Sequence, residues 1–224
     1  MAGAPRNPVE RRRLVCHCGR MLLYLTGSSC SGKTTLALPM AQRFVGLAVH
    51  NIDDCGARDA PSEYWVRRAL DYQVRGQDTL VVGQAPLGEI LATESAPLLD
   101  GIAVCLIDVV DDVRRIRLAE RDAGKWDASA IDAFIGWAAW HRGHARDPRY
   151  RPEVLVASGK PGMSWQRWTR WRTGDPRWSV HVIDTTNQPL ALSLTEVEVW
   201  ITEQRRLLRS GCLPLRPGWE AGRV

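Results

Sequence analysis

Short apolar runs recur along this chain at intervals too wide for hairpins, and each ends in a polar or glycine-containing corner. They occupy residues 21–26 (MLLYLT), 47–53 (LAVHNID), 78–83 (DTLVVG), 102–109 (IAVCLIDV) and 178–185 (WSVHVIDT). Their brevity and near-continuous hydrophobicity predict strands covered on both faces, as in a parallel sheet. Between them the apolar spacing becomes helical over 33–45, 62–74, 111–121 and 193–208. Pro39 predicts a kink in the first of these helices. Ser62 predicts an N-cap for the second, with Glu63 in its first turn, and Ser193 with Glu196 a capping box for the last. Alternating strands and helices predict an α/β fold, a doubly wound parallel five-stranded sheet in one domain over 21–224. The ligand site then lies at the carboxyl ends of the strands. That places Gly27 to Thr35, Asp53, Asp54, Gln84 and the corner from Asp184 to Asn187 at the site.

One stretch breaks the alternation. Seven of the ten tryptophans fall between Trp126 and Trp178, interleaved with arginines and prolines. Within it Trp137, Trp140, His141 and His144 share one helical face. Residues 122–178 are therefore expected to form a Trp/Arg-rich lid insertion over the acceptor, its tryptophans making a small core of their own. Arg170 and Arg172 would stack on indoles or bind an anion.

Composition narrows the class without naming it. At 224 residues the chain can bury one sizeable core. No apolar run approaches the roughly 18 residues of a membrane span, so no membrane association is expected. The apolar run after Arg11, Arg12 and Arg13 is too short for a signal peptide, and residues 1–20 are read as a mobile tail. The net charge is +5 and only three of the 30 basic residues are lysine, but no nucleic-acid motif accompanies them, and a nucleic-acid partner is not expected. The six cysteines form no CxxC pair, which argues against a disulfide framework and for a reducing cytoplasm. Cys16, His17 and Cys18 are too close together for a zinc knuckle.

The sharpest chemical signal is GSSCSGKT at residues 27–34, which matches GxxxxGK[ST] between a predicted strand and a predicted helix. In such a loop the amides of Gly27, Ser28, Ser29, Cys30, Ser31, Gly32 and Thr35 surround phosphates. Lys33 spans the terminal phosphates, and the Thr34 hydroxyl ligates Mg2+. No NKxD sequence accompanies it, which argues against a GTPase. The strand ending at Gly83 and Gln84 carries no acidic pair, which argues against a motor ATPase. The acidic pair instead ends the second strand, where Asp53 is placed to serve as general base and metal contact, ahead of Asp54. Either carboxylate could alternatively cap a turn. Arg117 and Arg121, four residues apart, present both guanidiniums to one side, either toward a transferring phosphoryl group or as a solvated face paired with Glu120 and Asp122. Gln84, Trp140, His141 and His144 are candidate acceptor contacts.

The loop GSSCSGKT, together with NIDD, RLAERD, WHRGHARD and VHVIDTT in this order, resembles the chloramphenicol phosphotransferases and related small-molecule kinases of the adenylate-kinase-like group. The resemblance spans roughly residues 21–208. It implies ATP or GTP as donor with Mg2+, a small-molecule hydroxyl as acceptor, Asp53 as base and Arg117 and Arg121 as phosphate clamps. Thr185, Thr186 and Asn187 would lie near the nucleotide base. The tryptophan-rich stretch at 164–178 has no counterpart there, so the acceptor, expected to be an antibiotic, need not be chloramphenicol, and an enlarged aromatic lid would suit a larger nucleoside antibiotic. A housekeeping nucleotide or metabolite kinase and a regulatory nucleotide-binding protein without an acceptor are the alternatives.

Overall fold

The computed structural model describes residues 19–56, 59–121 and 124–221. Cys16, His17, Cys18, Asp122 and most of the expected N-terminal tail lie outside them. Five strands, β1 (Leu22–Thr26), β2 (Leu47–Asn51), β3 (Asp78–Val82), β4 (Ile102–Asp108) and β5 (Val180–Asp184), form one parallel sheet in the order β2-β3-β1-β4-β5. Among the described residues eight helices accompany them: α1 (Lys33–Ala37), α2 (Met40–Arg43), α3 (Pro61–Val74), α4 (Leu87–Ala92), α5 (Asp111–Arg121), α6 (Ala128–Arg146), α7 (Glu153–Val156) and α8 (Leu190–Arg209). The sheet is covered on both faces, and alternate residues of the central strands serve opposite cores. Leu22, Tyr24, Ile102 and Val104 pack on one side, and Leu23, Leu25, Ala103 and Cys105 on the other. This two-sided burial is why the strands read as unbroken apolar runs.

The element pattern agrees with the sequence expectation at the level of order and type, and departs from it at four ends. Pro39 does more than kink the first helix: it divides it into α1 and α2. The second strand stops at Asn51, and Ile52–Asp54 make a short 3-10 turn. Pro61, not Ser62, opens α3, and the buried Ser62 hydroxyl donates to Glu89 Oε1 at 2.7 Å. No capping box forms at Ser193, because α8 already begins at Leu190. Ser193 Oγ and Glu196 Oε1 instead bind the two ends of the Gln188 amide at 2.8 and 2.6 Å. The expectation also missed α4, whose six residues are all buried. Full burial removes the polar face that makes a helix visible as a periodic pattern.

The tryptophan-rich stretch is not a separate core. Trp140, Trp168, Trp171 and Trp178 belong to the same apolar cluster as Leu22 and Val104 of the sheet. Trp178 Nε1 donates to the His144 carbonyl at 2.8 Å and Trp140 Nε1 to the Arg151 carbonyl at 3.2 Å, which ties the segment to itself as well. The guanidinium stacked on Trp171 is that of Arg177, 4.0 Å from the ring centroid, whereas Arg170 and Arg172 are exposed. Among the described residues, no helix is long and apolar enough to cross a membrane.

Candidate nucleotide and acceptor site

Between β1 and α1 the chain turns through the glycine-containing loop. Gly27 has φ +148°, and a Cβ there would stand 2.4 Å from the Ile107 carbonyl oxygen of β4. Only glycine lets the loop lie this close to the neighbouring strand. Gly32 (φ +89°) and Cys30 (φ 61°) are also left-handed.

The loop is shaped by donors that hold its carbonyls. Ser28 O accepts from Lys33 Nζ at 3.3 Å and Ser29 O from Arg114 Nη1 at 2.6 Å. Cys30 O accepts from Arg117 Nη1 at 3.5 Å, and Ser31 O from Thr185 Oγ1 at 3.2 Å. In a planar trans peptide the N–H points opposite to the carbonyl, so each carbonyl held in this way fixes the direction of the amide that follows it. Ser28 Oγ donates to the Phe134 carbonyl of α6 at 3.0 Å, so α6 is anchored to the loop.

Arg114, fully buried, is the centre of this scaffold. Its Nη2 donates to Asp108 Oδ1 at 2.8 Å, and Asp108 also faces Arg142, which reaches Asp111 at 2.7 Å. The carboxylate ending β4 thus offsets the charge of two guanidiniums behind the loop. Sequence inspection passed over Arg114 because its i, i+3 relation to Arg117 looks like a helix face. The signal available was Asp108, a carboxylate leaving a buried strand six residues earlier.

Two cavities meet at the loop. One, of about 670 Å³, is lined by Cys30, Gly32, Thr35, Arg117, Thr185 and Gln188 among others; the second, of about 680 Å³, by Asn51, Asp53, Gln84, Glu89, Trp137 and Lys160 among others. Lys33, Thr34 and Arg121 line both. Burial, aided by Arg114 and Arg121, pulls the Lys33 ammonium down to about 8. A bound polyphosphate would reverse that shift by supplying negative charge.

At the end of β2 the two carboxylates separate in role. Asn51 Oδ1 accepts from the Asp53 amide at 3.1 Å, while Asp54 Oδ2 accepts from the Asn51 amide at 3.0 Å. Asp54 is therefore a turn cap and is not part of the cavity wall, whereas Asp53 is part of it. The Thr34 hydroxyl and Asp53 carboxylate share that wall, an oxygen donor set that suits Mg2+ held chiefly by phosphates and water. No cluster of three or more His, Cys, Asp or Glu able to hold a metal occurs among the described residues, so such an ion would depend on the nucleotide.

Several expected contacts lie elsewhere. Thr186 accepts from the Val110 amide at 3.0 Å and, with Asn187, lines a separate depression; Gln188 lines the first cavity as well. His141 and His144, 2% and 1% exposed, are closed off under tryptophans together with Trp140, and of that helical face Trp137 reaches the second cavity. His144 stacks on Trp140 with centroids 4.6 Å apart and meets Trp178 edge-on at 4.9 Å. Burial holds the His141 imidazole down at about 3 and the His144 imidazole at about 4. The exclusion of these rings follows from the extra tryptophans packed over α6, which a single-helix projection cannot show.

The fold and site together define a doubly wound α/β protein with a GxxxxGK[ST] loop at the end of its central strand. The chain matches no protein-family model, and no curated protein matches it in sequence. Similar solved structures include an unliganded sugar kinase from Janibacter sp. HTCC2649, with TM-score 0.49 and 16% identity over 84% of this chain and 98% of that one. Others are a gluconokinase from Sinorhizobium meliloti 1021 (TM-score 0.44, 16% identity, 84% and 98% covered) and the thymidylate kinase of Candida albicans (0.46, 9%, 84% and 93%). Values this low leave the chemistry of the site to its own residues.

Proposed function

We propose that the protein is a Mg2+-dependent phosphotransferase that moves the terminal phosphoryl group of ATP or GTP to a hydroxyl of a small molecule. The observation that carries this reading is that Lys33, Thr34 and Arg121 line the nucleotide cavity and the neighbouring cavity at once. A phosphoryl group held there faces both compartments, as transfer requires. The loop amides and Lys33 bind the phosphates, Arg117 and Arg121 neutralise charge that builds during transfer, and Asp53 takes the proton of the attacking hydroxyl. Mg2+, when bound with the nucleotide, screens the phosphate oxygens from the incoming nucleophile. Thr34 and Asp53 are the residues that would hold it.

The flat Trp137 ring in the wall and the size of the second cavity favour a bulky acceptor, which supports an antibiotic self-resistance or biosynthetic role. The test is mass spectrometry of an acceptor panel incubated with nucleotide and Mg2+. A product heavier by one phosphoryl group supports the reading. Nucleotide hydrolysis with no phosphorylated acceptor in any member supports the regulatory alternative.

A further inference from the structure

The second cavity, whose wall includes Asp53, also carries a carboxylate that the phosphotransfer chemistry does not use. Glu89, on α4, is 7% exposed, yet it lines the cavity. Its Oε1 accepts from both Ser62 Oγ and Lys160 Nζ, each at 2.7 Å. Neither donor engages Oε2. Oε2 accepts no hydrogen bond from the described residues and is not sealed from solvent, so a donor in the cavity can reach it.

The surrounding residues restrict what could satisfy it. Lys33 and Arg121 line the same cavity, but the reading above commits them to the nucleotide phosphates, and the charge of Lys160 is already engaged by Glu89. A phosphate or carboxylate of the acceptor placed against Glu89 would meet a like charge. A group that donates hydrogen bonds is favoured instead. Asn51 and Gln84 add neutral donors and acceptors, and Trp137 supplies a flat apolar surface for a ring.

We propose, building on the phosphotransferase reading, that the acceptor is a polyhydroxylated ring compound, a sugar or a sugar-bearing molecule, that donates a second hydroxyl to Glu89 Oε2. One hydroxyl oxygen attacks the terminal phosphorus as the bond to the bridging oxygen of the nucleotide breaks. Its proton passes to Asp53, and a phosphate monoester and a nucleoside diphosphate leave. The second hydroxyl stays intact and serves only to bind. The Glu89–Lys160 pair also fastens the segment after α7 to α4, so the acceptor is held where the lid meets the domain.

The experiment compares phosphorylation of D-ribose, D-glucosamine and uridine with that of 2′-deoxyuridine, 3′-deoxyuridine, benzyl alcohol and uridine monophosphate. A site built to bond a second hydroxyl rejects an analogue lacking it, here by at least about 100-fold in kcat/KM. The expected result is a preferred polyol, a loss of that size for a matched deoxy partner, and erosion of the preference in Glu89→Gln through a raised acceptor KM at unchanged nucleotide KM. Equal or better turnover of benzyl alcohol or uridine monophosphate overturns the polyol inference and leaves phosphotransfer standing. So does a Glu89→Gln enzyme that keeps the full preference. No phosphorylated product from any member overturns both. If Glu89→Gln does not fold, the wild-type ratios between matched acceptors decide the matter alone.

Discussion

Arg114 donates from Nη1 to the Ser29 carbonyl at 2.6 Å from a position with no exposure to solvent. The interaction makes a helix residue part of the phosphate loop's geometry, and Asp108 and Arg142 complete a charge network behind it. Arg114→Met leaves Asp108 with one cation fewer and Ser29 without its donor. We predict a loss of about 3 kcal/mol in urea unfolding and at least tenfold weaker nucleotide binding by calorimetry. Arg114→Lys, which cannot serve Ser29 and Asp108 with a forked head group, should restore little.

The loop glycines give a graded test of its backbone. At Gly27 a methyl group meets the Ile107 carbonyl at 2.4 Å in addition to the cost of positive φ, whereas at Gly32 it meets nothing within 4 Å. Gly32→Ala should therefore show strain of roughly 1–2 kcal/mol in its nucleotide affinity. Gly27→Ala should bind the nucleotide far more weakly than that.

Lys33 predicts a pH dependence of nucleotide binding. Its ammonium is held at about 8 in the free protein, and a polyphosphate raises it again. Binding then takes up a proton as pH passes above about 8, so affinity falls with rising pH in that window. Calorimetry in buffers of different ionisation enthalpy should show the uptake, and Lys33→Met should abolish it.

His141 and His144 predict the opposite dependence in stability. Their folded values of about 3 and about 4 lie below the ordinary imidazole value of about 6.5, so the unfolded chain binds more protons between those limits. Stability is then full above about pH 6.5 and declines as pH falls toward 4. Melting temperatures across that range should drop steeply in the native protein and less steeply in the His141→Gln, His144→Gln double variant.

Much of this was readable from the chain. The central strands β1, β3 and β4 advertise themselves because both faces are buried, and the GxxxxGK[ST] loop because its glycines, lysine and threonine have fixed spacing. Asp53 was legible as the carboxylate leaving β2, and Asp54 as a possible cap. What stayed hidden depends on tertiary contact. Glu89 sits in a helix with no polar face, and Lys160 meets it across 71 residues of sequence. Arg114 looks like one more basic residue on a charged helix until β4 and the loop close around it. The histidines of α6 looked like acceptor contacts because Trp168 and Trp178, which help cover His144, come from later in the chain.

The central claim is that Asp53 faces a phosphoryl group held by Lys33, Thr34 and Arg121. The most direct measurement pairs product formation with nucleotide affinity in Asp53→Asn, using whichever acceptor the native protein phosphorylates. We predict a fall in transfer of at least about 100-fold with nucleotide affinity within a few-fold of native. Transfer at the native rate in Asp53→Asn would contradict the account.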